Sequence, residues 1–545
     1  MMREKIASAL KTLAQKKGWP LPDGYDDFVL EEPKDPRFGH LATTAAMSLA
    51  KTFKIAPRDL AKLLADEIDN SQGFIESIEI AGPGFINFRF SNSFWALALI
   101  NLRQAGQNYG RGQESGLKIQ IEFVSANPTG PLHVGHGRGA ALGDSLSRIL
   151  SFLGHQVERE YYVNDAGRQM RILGQSALYR VKELIGEQPV KPEEFYQGDY
   201  VKDLAAEILP NLEADFFKKE TIEQIEILSH LTANKILTGI AKDLKDFKVE
   251  IQNWFSEREL YRRGLVEETF KSLEEANRLY RQDGALWFKS LEFGDDKDRV
   301  LVKSDGEKTY FAADIAYHRD KFQRGYDRAI DVWGADHHGY IPRVKAAVEA
   351  LGYSPDRLSV VLVQLVNLSR DGQLVNMSTR RAEFVTLREV LDEVGVDAAR
   401  FMFLTRSHDS ALDFDLNLAK AQTKDNPVFY VQYVCARIHS LLTKAGPTEG
   451  FDPKLLKEPE EIELIKYLTG FPQTVQASGR RLEPHLLTTY LLGLAKLFHQ
   501  YYAVHRLIVD EDKGLTATRI ELAAAVRQVT AIGLNLLGVE APDKM

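Results

Sequence analysis

The sequence has almost no cysteine and no long apolar run. Cys435 is the only cysteine among 545 residues, which excludes a disulfide framework and a cysteine-rich zinc site and favours a reducing compartment. No window holds about eighteen or more consecutive apolar residues, and the stretch Met1-Met2-Arg3-Glu4-Lys5 has no signal-peptide pattern. We therefore expect a cytoplasmic protein that does not enter a membrane. Internal repeats and low-complexity tracts are absent as well.

A net positive charge is also missing. The formal charge is -8, which argues against a surface that attracts nucleic acid everywhere, although it allows a local basic face. The composition, 44% hydrophobic and 27% charged, is typical of a soluble globular protein. At this length we expect three or more domains.

The most informative stretch runs from Glu122 to Arg138, where an apolar strand leads through a turn rich in proline and glycine into a helix start with two histidines. His133 and His136 are three residues apart, so both rings should project from one side of the first helical turn, beside its free N–H groups. Gly135 between them lets a nucleotide approach the backbone. This pattern predicts a polyphosphate site at the carboxyl edge of a parallel sheet, with helix capping as the structural alternative.

The secondary-structure pattern divides the chain into three regions. Residues 1–110 indicate a small α+β module. Residues 111–390 alternate strands and helices and predict a Rossmann-like, doubly wound parallel sheet, an α/β fold, interrupted by a charged helical insertion at about 168–292. Residues 391–545 predict an all-helical domain. The strands expected in the sheet are Lys118–Val124, Gln156–Val163, Arg299–Lys303, Ala329–Trp333 and Val360–Val366.

Several motifs carry a resemblance to a known family. The stretch from Glu122 to Arg138 resembles the first signature of class I aminoacyl-tRNA synthetases, and its Glu-Phe-x-Ser-x-Asn-Pro start is similar to the arginyl-tRNA synthetases. The same resemblance continues in Asp296–Gly306, Thr309–Asp314, Gly334–Tyr340 and Asn426–Tyr433. Asp397–Arg400 is close to the sequence that names the anticodon-binding domain of this family, with Ala399 where leucine is usual.

The resemblance implies ATP-dependent ligation of arginine to its tRNA through an arginyl adenylate, with tRNA bound before activation. The expected partners are L-arginine, ATP and the tRNA for arginine, which residues 1–110 would contact at its elbow. We expect a monomer, Mg²⁺ that arrives with ATP, and no tightly bound metal or organic cofactor. The arginine carboxylate attacks the α-phosphorus of ATP, so no protein nucleophile is needed.

For catalysis, the resemblance implies His133, His136 and Arg380. The implied ATP-binding residues are His133, Gly135, His136, Asp336, His337, Met377 and Ser378. The second class I signature is a loop with two lysines, but Asn376 and Thr379 stand at those positions here. Arg380, Arg381 or Arg370 would then supply the charge, because a guanidinium serves a polyphosphate at least as well as an ammonium. A solvated basic loop is the alternative.

Arginine binding calls for carboxylates, because a guanidinium carries a fixed charge and five donors. By resemblance, Glu122 and Asp314 would bind the guanidinium, and Tyr310 would pack on it or bond to it. Ser125 and Asn127 would hold the α-amino and carboxylate end, with His338 also at the site. For each residue a helix cap or a polar strand end is the alternative. Metal binding by Asp336, His337 and His338 is a further alternative, which adjacent diverging histidines and the lack of another ligand at a useful spacing disfavour.

Aromatic and basic residues are mixed on two helices of the carboxyl-terminal region, a composition that suits stacking on unpaired bases. The predicted tRNA-binding residues are Tyr430, Tyr433, Arg437, Tyr502, Arg506 and, by the resemblance of the chain's ending, Met545. Helical core is the alternative, above all for phenylalanines such as Phe498.

Three other functions remain open at this stage. Another class I synthetase is the nearest. A nucleotidylyltransferase shares His-x-Gly-His but should lack the long helical tail. A tRNA-binding relative without activation would explain Asn376 and Thr379.

Overall fold

The computed structural model describes residues 2–33, 35–375 and 385–545. The chain forms two compact units. The first comprises Met1–Tyr109, Ile438–Gly470 and Lys496–Val529, and the second comprises Gly110–Arg437, Phe471–Ala495 and Thr530–Met545. Within the described ranges, no helix combines the length and apolar character needed to cross a membrane.

The amino-terminal part of the first unit is an antiparallel sheet with helices, in the order β1-β2-β4-β3. Its strands are β1 (Leu30–Glu31), β2 (Leu41–Thr43), β3 (Ile75–Ala81) and β4 (Phe85–Phe90), and its helices are α1 (Met2–Lys17), α2 (Ala45–Phe53), α3 (Pro57–Glu67) and α4 (Asn92–Ala105). Leu41 pairs with the buried Phe88 in the sheet, and the helix that follows begins at Ala45.

The second unit contains three sheets. Their strands are β5 (Lys118–Glu122), β6 (Gln156–Val163), β7 (Asn253–Ser256), β8 (Leu279–Gln282), β9 (Ala285–Phe288), β10 (Arg299–Val302), β11 (Arg328–Gly334), β12 (Leu358–Val363), β13 (Val366–Arg370), β14 (Gln373–Leu374) and β15 (Leu412–Asp415). The central sheet has the order β12-β11-β5-β6-β7 and is parallel throughout, which confirms the predicted fold class.

Two strand predictions were wrong. The segment from Arg299 does not join the parallel sheet, because β10 pairs antiparallel with β9 in a separate sheet of order β10-β9-β8. Conversely, β7, β8 and β9 lie inside the region expected to be a helical insertion, and β7 forms the edge strand of the parallel sheet next to β6. The third sheet has the order β14-β13-β15.

Eight helices of the second unit connect these strands or extend from them. They are α5 (Val134–Phe152), α6 (Arg168–Leu184), α7 (Asp199–Ile208), α8 (Thr221–Asp246), α9 (Glu257–Arg262), α10 (Leu265–Glu275), α11 (Tyr310–Gln323) and α12 (Ile341–Ala350). Helices α11 and α12 belong to a core cluster with strand residues such as Ala329 and Leu358. Ile119, Ile121 and Ile330 lie on one face of the parallel sheet and are buried there.

The carboxyl-terminal part of the chain is helical, as predicted. Its helices are α13 (Leu387–Val394), α14 (Val396–Phe403), α15 (Leu416–Lys420), α16 (Pro427–Ala445), α17 (Pro459–Thr469), α18 (Phe471–Arg481), α19 (His485–Val504) and α20 (Lys513–Leu536). In α14, Arg400 is fully buried. It donates to the carbonyl oxygens of Leu537 at 2.9 Å and Phe247 at 3.0 Å, and it pairs with Asp144 of α5. The Asp-Ala-Ala-Arg segment therefore stabilises the second unit from inside.

Candidate active site

The candidate site begins at a strained bend after β5. Val124 and Ser125 both have positive φ, 69° and 39°, which is uncommon for residues with a side chain and an outlier for β-branched valine. Side chains hold the bend in place: Tyr161 donates to the carbonyl of Ala126 at 2.7 Å, and the Ser125 hydroxyl accepts from the backbone N–H of Tyr162 at 3.1 Å. The chain is thereby turned from the strand toward α5.

His133 and His136 close the start of α5 by capping each other. His133 is the N-cap residue, and its Nδ1 accepts from the backbone N–H groups of Gly135 at 3.1 Å and His136 at 3.4 Å. Nδ1 of His136 accepts from the backbone N–H of His133 at 3.2 Å, and the rings stack with centroids 3.7 Å apart. Because Nδ1 accepts in both rings, each neutral imidazole carries its proton on Nε2 and can donate from there.

Burial keeps both imidazoles uncharged near neutral pH. It lowers the pKa of His133, and together with the neighbouring His133 it lowers the pKa of His136 to about 3. The pair therefore offers neutral N–H donors that need no protonation step.

The expectation of free N–H groups at this helix start was wrong. Gly135 and His136 use theirs on His133, and the N–H of Val134 donates to the carbonyl of Val385 at 3.2 Å. Any polyphosphate would thus meet imidazole Nε2–H groups rather than bare backbone. A Cβ at Gly135 would lie 2.9 Å from Cε1 of His133, so this glycine makes room for the imidazole of the cap itself.

Three carboxylates lie near one another at the carboxyl edge of the sheet. Glu122 ends β5, Glu257 begins α9 directly after β7, and Asp314 lies near the start of α11. Burial and the negative charges of Glu257, Asp314 and Glu122 all raise the pKa of Tyr162, so its hydroxyl lies within the field of all three. The sequence-predicted Glu122 and Asp314 are therefore brought together.

Glu257 was missed by the sequence analysis. It is 4% exposed, and burial, with the charges of Asp314 and Asp165, raises its pKa to about 7. Burial also raises the pKa of Asp314, against the opposing hydrogen bond donated by the Tyr340 hydroxyl. Within the described residues, neither Glu257 nor Asp314 has a basic side chain at salt-bridge distance. A buried and a half-buried carboxylate, neither with a basic side chain at salt-bridge distance, make this edge of the sheet a candidate for binding a cation.

Glu122 is already engaged. Its Oε2 accepts from Lys321 Nζ at 2.7 Å and its Oε1 accepts from the Ser125 hydroxyl at 2.9 Å. A carboxylate has about four lone-pair positions, so it can still accept from a ligand. Asn127 is half-buried in the loop that follows, and Tyr310, the first residue of α11, is 59% exposed.

Asp336, His337 and His338 lie in a 3₁₀ turn, Ala335–Tyr340, directly after β11 and at the same sheet edge. All three are exposed, with His337 Nε2 3.7 Å from Asp336 Oδ2. The metal alternative finds no support there: across residues 2–33, 35–375 and 385–545, the only close group of three potential ligands is Glu458, Glu460 and His505, in the first unit.

The loop expected to contact pyrophosphate lies outside the described residues, together with Met377, Ser378, Arg380 and Arg381. Of the basic residues considered there, only Arg370 is described. It ends β13 and pairs with Glu393, which also accepts from Lys420 at 2.9 Å. Arg370 is therefore a weak candidate for replacing the missing lysines.

The predicted tRNA-binding residues lie in both units, all but Arg506 and Met545 on helices. In the second unit, Tyr430, Tyr433 and Arg437 follow one another on α16. The Arg437 guanidinium lies 4.5 Å from the centre of the Tyr433 ring, and Met545 is 52% exposed. In the first unit, Tyr502 and Arg506 are exposed. The neighbouring Phe498 and Tyr501 are fully buried, so the alternative of helical core holds for them.

Family models match three consecutive parts of the chain. The match described as "Arginyl tRNA synthetase N terminal domain" covers residues 1–90, "tRNA synthetases class I (R), catalytic domain" covers residues 98–423, and "DALR anticodon binding domain" covers residues 431–545.

Relatives of similar length agree with these matches. The chain is 51% identical to an arginine–tRNA ligase of Desulfosudis oleivorans and 48% identical to one of Nitratidesulfovibrio vulgaris, each covering 100% of both chains. Among solved structures, an arginyl-tRNA synthetase of Campylobacter jejuni is 37% identical with a TM-score of 0.77, covering 84% of this chain and 100% of that one. The Thermus thermophilus enzyme matches in fold, with a TM-score of 0.79 at 23% identity and full coverage of both chains.

Proposed function

Because the chain belongs to the arginyl-tRNA synthetases and is a class I arginine–tRNA ligase, we propose that the cavity at the carboxyl edge of its parallel sheet binds arginine beside a histidine-lined ATP site. The enzyme attaches arginine to its tRNA in protein synthesis, with ATP as the second substrate of its class. The observation that carries the proposal is the pair of neighbouring carboxylates, the buried Glu257 and the half-buried Asp314, neither of which has a basic side chain at salt-bridge distance among the described residues.

A guanidinium suits this cavity because its charge is permanent and its donors form a planar fork. Glu257 and Asp314 would accept from that fork, and Tyr310 would pack against it. By the family resemblance, Glu122 at the end of β5 would also bind the guanidinium, and Ser125 and Asn127, which follow it, would hold the α-amino and carboxylate end. His338 would complete the site from the turn after β11.

ATP would place its phosphates against the Nε2–H groups of His133 and His136, with Gly135 allowing the ring arrangement that presents them. The arginine carboxylate oxygen attacks the α-phosphorus, the bond to the bridging oxygen of pyrophosphate breaks, and arginyl adenylate forms. Two neutral donors aimed at the developing phosphate charge would contribute a few kcal/mol, on the order of oxyanion-type stabilisation. Asp336 and His337 would contact the adenosine.

The remaining assignments rest on the family resemblance. Met377, Ser378 and Arg380 would act on the phosphates from the second signature loop, and Mg²⁺ would enter with ATP. For tRNA, the proposed contacts are the aromatic and basic residues Tyr430, Tyr433, Arg437, Tyr502 and Arg506, together with Met545. We also propose a cytoplasmic monomer whose amino-terminal α+β module contacts the tRNA.

Arginine-dependent pyrophosphate exchange, run with and without tRNA, tests the proposal. We expect exchange only with arginine and a strong requirement for tRNA. A Glu257→Gln variant should lose apparent arginine affinity while its KM for ATP changes little. Equal loss for both substrates, or none for arginine, would contradict the assignment of the cavity.

A further inference from the structure

Three carboxylates form one row across the parallel sheet. In the strand register, Asp331 of β11 is opposite Glu122 of β5, and Glu122 is opposite Glu160 of β6. Asp331 and Glu160 are fully buried and Glu122 is 7% exposed. Like charges on adjacent strands destabilise a sheet unless cations are supplied to them.

One face of α11 supplies those cations. Lys321 Nζ donates to Glu122 Oε2 and to Asp331 Oδ1, each at 2.7 Å, and is itself fully buried. One turn later, Arg324 pairs with Glu160 on the neighbouring strand. Each of the three carboxylates therefore has a partner on the same helix.

His318, on the same face, also contacts Asp331. Its Nδ1 lies 2.8 Å from the carbonyl oxygen of Asp314, and its Nε2 lies 2.9 Å from Asp331 Oδ2. Asp331 is therefore held through Oδ1 by Lys321 and through Oδ2 by His318, so both of its oxygens are engaged by α11.

This cluster reaches the candidate site through Glu122. While Oε2 faces Lys321, Oε1 accepts from Ser125 at 2.9 Å, and Ser125 is half of the strained bend after β5. The Glu122 carboxylate is thus clamped between a buried ammonium and the bend. Holding a binding group in place before the ligand arrives lowers the cost of binding.

We propose that Lys321 is a positioning residue of the arginine site, which fixes the orientation of the Glu122 carboxylate and of the bend that follows it. It does not touch the substrate and acts only through Glu122. This inference rests on the proposed arginine cavity, and within it Lys321 determines how well a cationic amino acid is held rather than how fast phosphate chemistry proceeds.

The test is a double-mutant cycle with Lys321→Met and Glu122→Gln, measured by tRNA-dependent pyrophosphate exchange. Losing one charge-assisted contact should raise the KM for arginine on the order of 10- to 100-fold in Lys321→Met, with the KM for ATP changed less than about threefold. In the Glu122→Gln background, Lys321→Met should cause no further rise. The double variant also removes the unpaired charge at Glu122, so the cycle can still be read if the single variant folds poorly.

Arg324→Met is the matched control. It removes a half-buried cation that directly follows α11 and pairs with the same row, without touching Glu122, so the KM for arginine should stay near the wild-type value. A general disturbance of α11 would raise that KM in both Met variants and overturn the inference. A further rise in the Glu122→Gln background would overturn it as well. If Glu122→Gln alone leaves the KM unchanged, the arginine cavity itself is wrongly assigned.

Discussion

Replacing Glu257 with glutamine should remove a pH dependence from arginine binding. Glu257 is buried beside Asp314 and Asp165, and its pKa is raised to about 7, so it is only partly ionised near neutral pH. A guanidinium requires the ionised form. Arginine should therefore bind more weakly as the pH falls, and its binding near neutral pH should release a proton.

The size of the effect follows from that pKa. If only the ionised carboxylate binds, the apparent KM for arginine scales with 1 + 10^(pKa − pH), which gives roughly a tenfold rise between about pH 8 and pH 6. His133 and His136 do not account for this slope, because burial lowers the pKa of His133 and brings that of His136 to about 3.

The same shift makes the free enzyme less stable at high pH. A carboxyl whose folded pKa lies above its ordinary 4.5 binds its proton more tightly in the folded state. The free-energy cost of ionising Glu257 in the folded protein is absent below about pH 4.5, grows as the pH rises toward 7, and reaches about 3 kcal/mol above that. Glu257→Gln cannot ionise, so above pH 7 it should be more stable than the wild type by up to that amount.

Two measurements decide the matter. The first is the KM for arginine in tRNA-dependent pyrophosphate exchange at saturating ATP, from about pH 6 to pH 8. The second is the free energy of unfolding without ligands over the same range. Glu259→Gln is the control, because Glu259 lies on the same helix, pairs with Arg262 and has a lowered pKa. A flat wild-type profile, or an unchanged slope in Glu257→Gln, would refute the reasoning.

Three further predictions concern other parts of the chain. His136→Ala should lower the rate of arginine activation by about 100-fold, since one phosphate donor is lost, and should leave tRNA affinity in a filter-binding assay unchanged; equal activity would remove the ATP assignment. Gly538→Ala should lower the free energy of unfolding by about 1–3 kcal/mol, because Gly538 has φ 69° and a Cβ there would overlap the guanidinium of Arg400. An unchanged unfolding curve would contradict the close packing of Arg400 against Gly538. Arg506→Ala should weaken tRNA binding and reduce the salt dependence of the binding constant by about one unit of slope, and an unchanged slope would exclude a phosphate contact.

Sequence patterns were enough for the parallel sheet, the helical carboxyl-terminal region and the family. Strand β7 was missed because its four residues, Asn253–Ser256, are too few to show an alternating apolar pattern, and because they come after a 26-residue helix. Glu257 was missed with it, because only the end of β7 places Glu257 at the carboxyl edge of the sheet. A signal did exist: an apolar strand-like pair, Trp254 and Phe255, followed at once by an acidic residue.

The polar face of α11 shows why other features could not be read from sequence. His318, Lys321 and Arg324 recur at helical spacing and resemble a solvated charged face. Only the register of β5, β6 and β11 shows that this face covers a row of carboxylates. The histidine pair was read correctly as a helix start, but capping consumes backbone donors that the sequence suggested would be free.

The two substrates differ in charge, and the site treats them in different ways. Arginine is a cation, and the cavity offers Glu257 and Asp314 without counter-ions among the described residues, so the empty site carries an electrostatic cost that the guanidinium relieves. ATP is an anion, and in the proposed site protonated histidines would bind its phosphates more strongly but would also attract the carboxylates. Mutual capping and burial keep His133 and His136 neutral, so they can donate to phosphate without neutralising the arginine cavity. Raising the pKa of either histidine into the neutral range should therefore weaken arginine binding even though no arginine contact is altered.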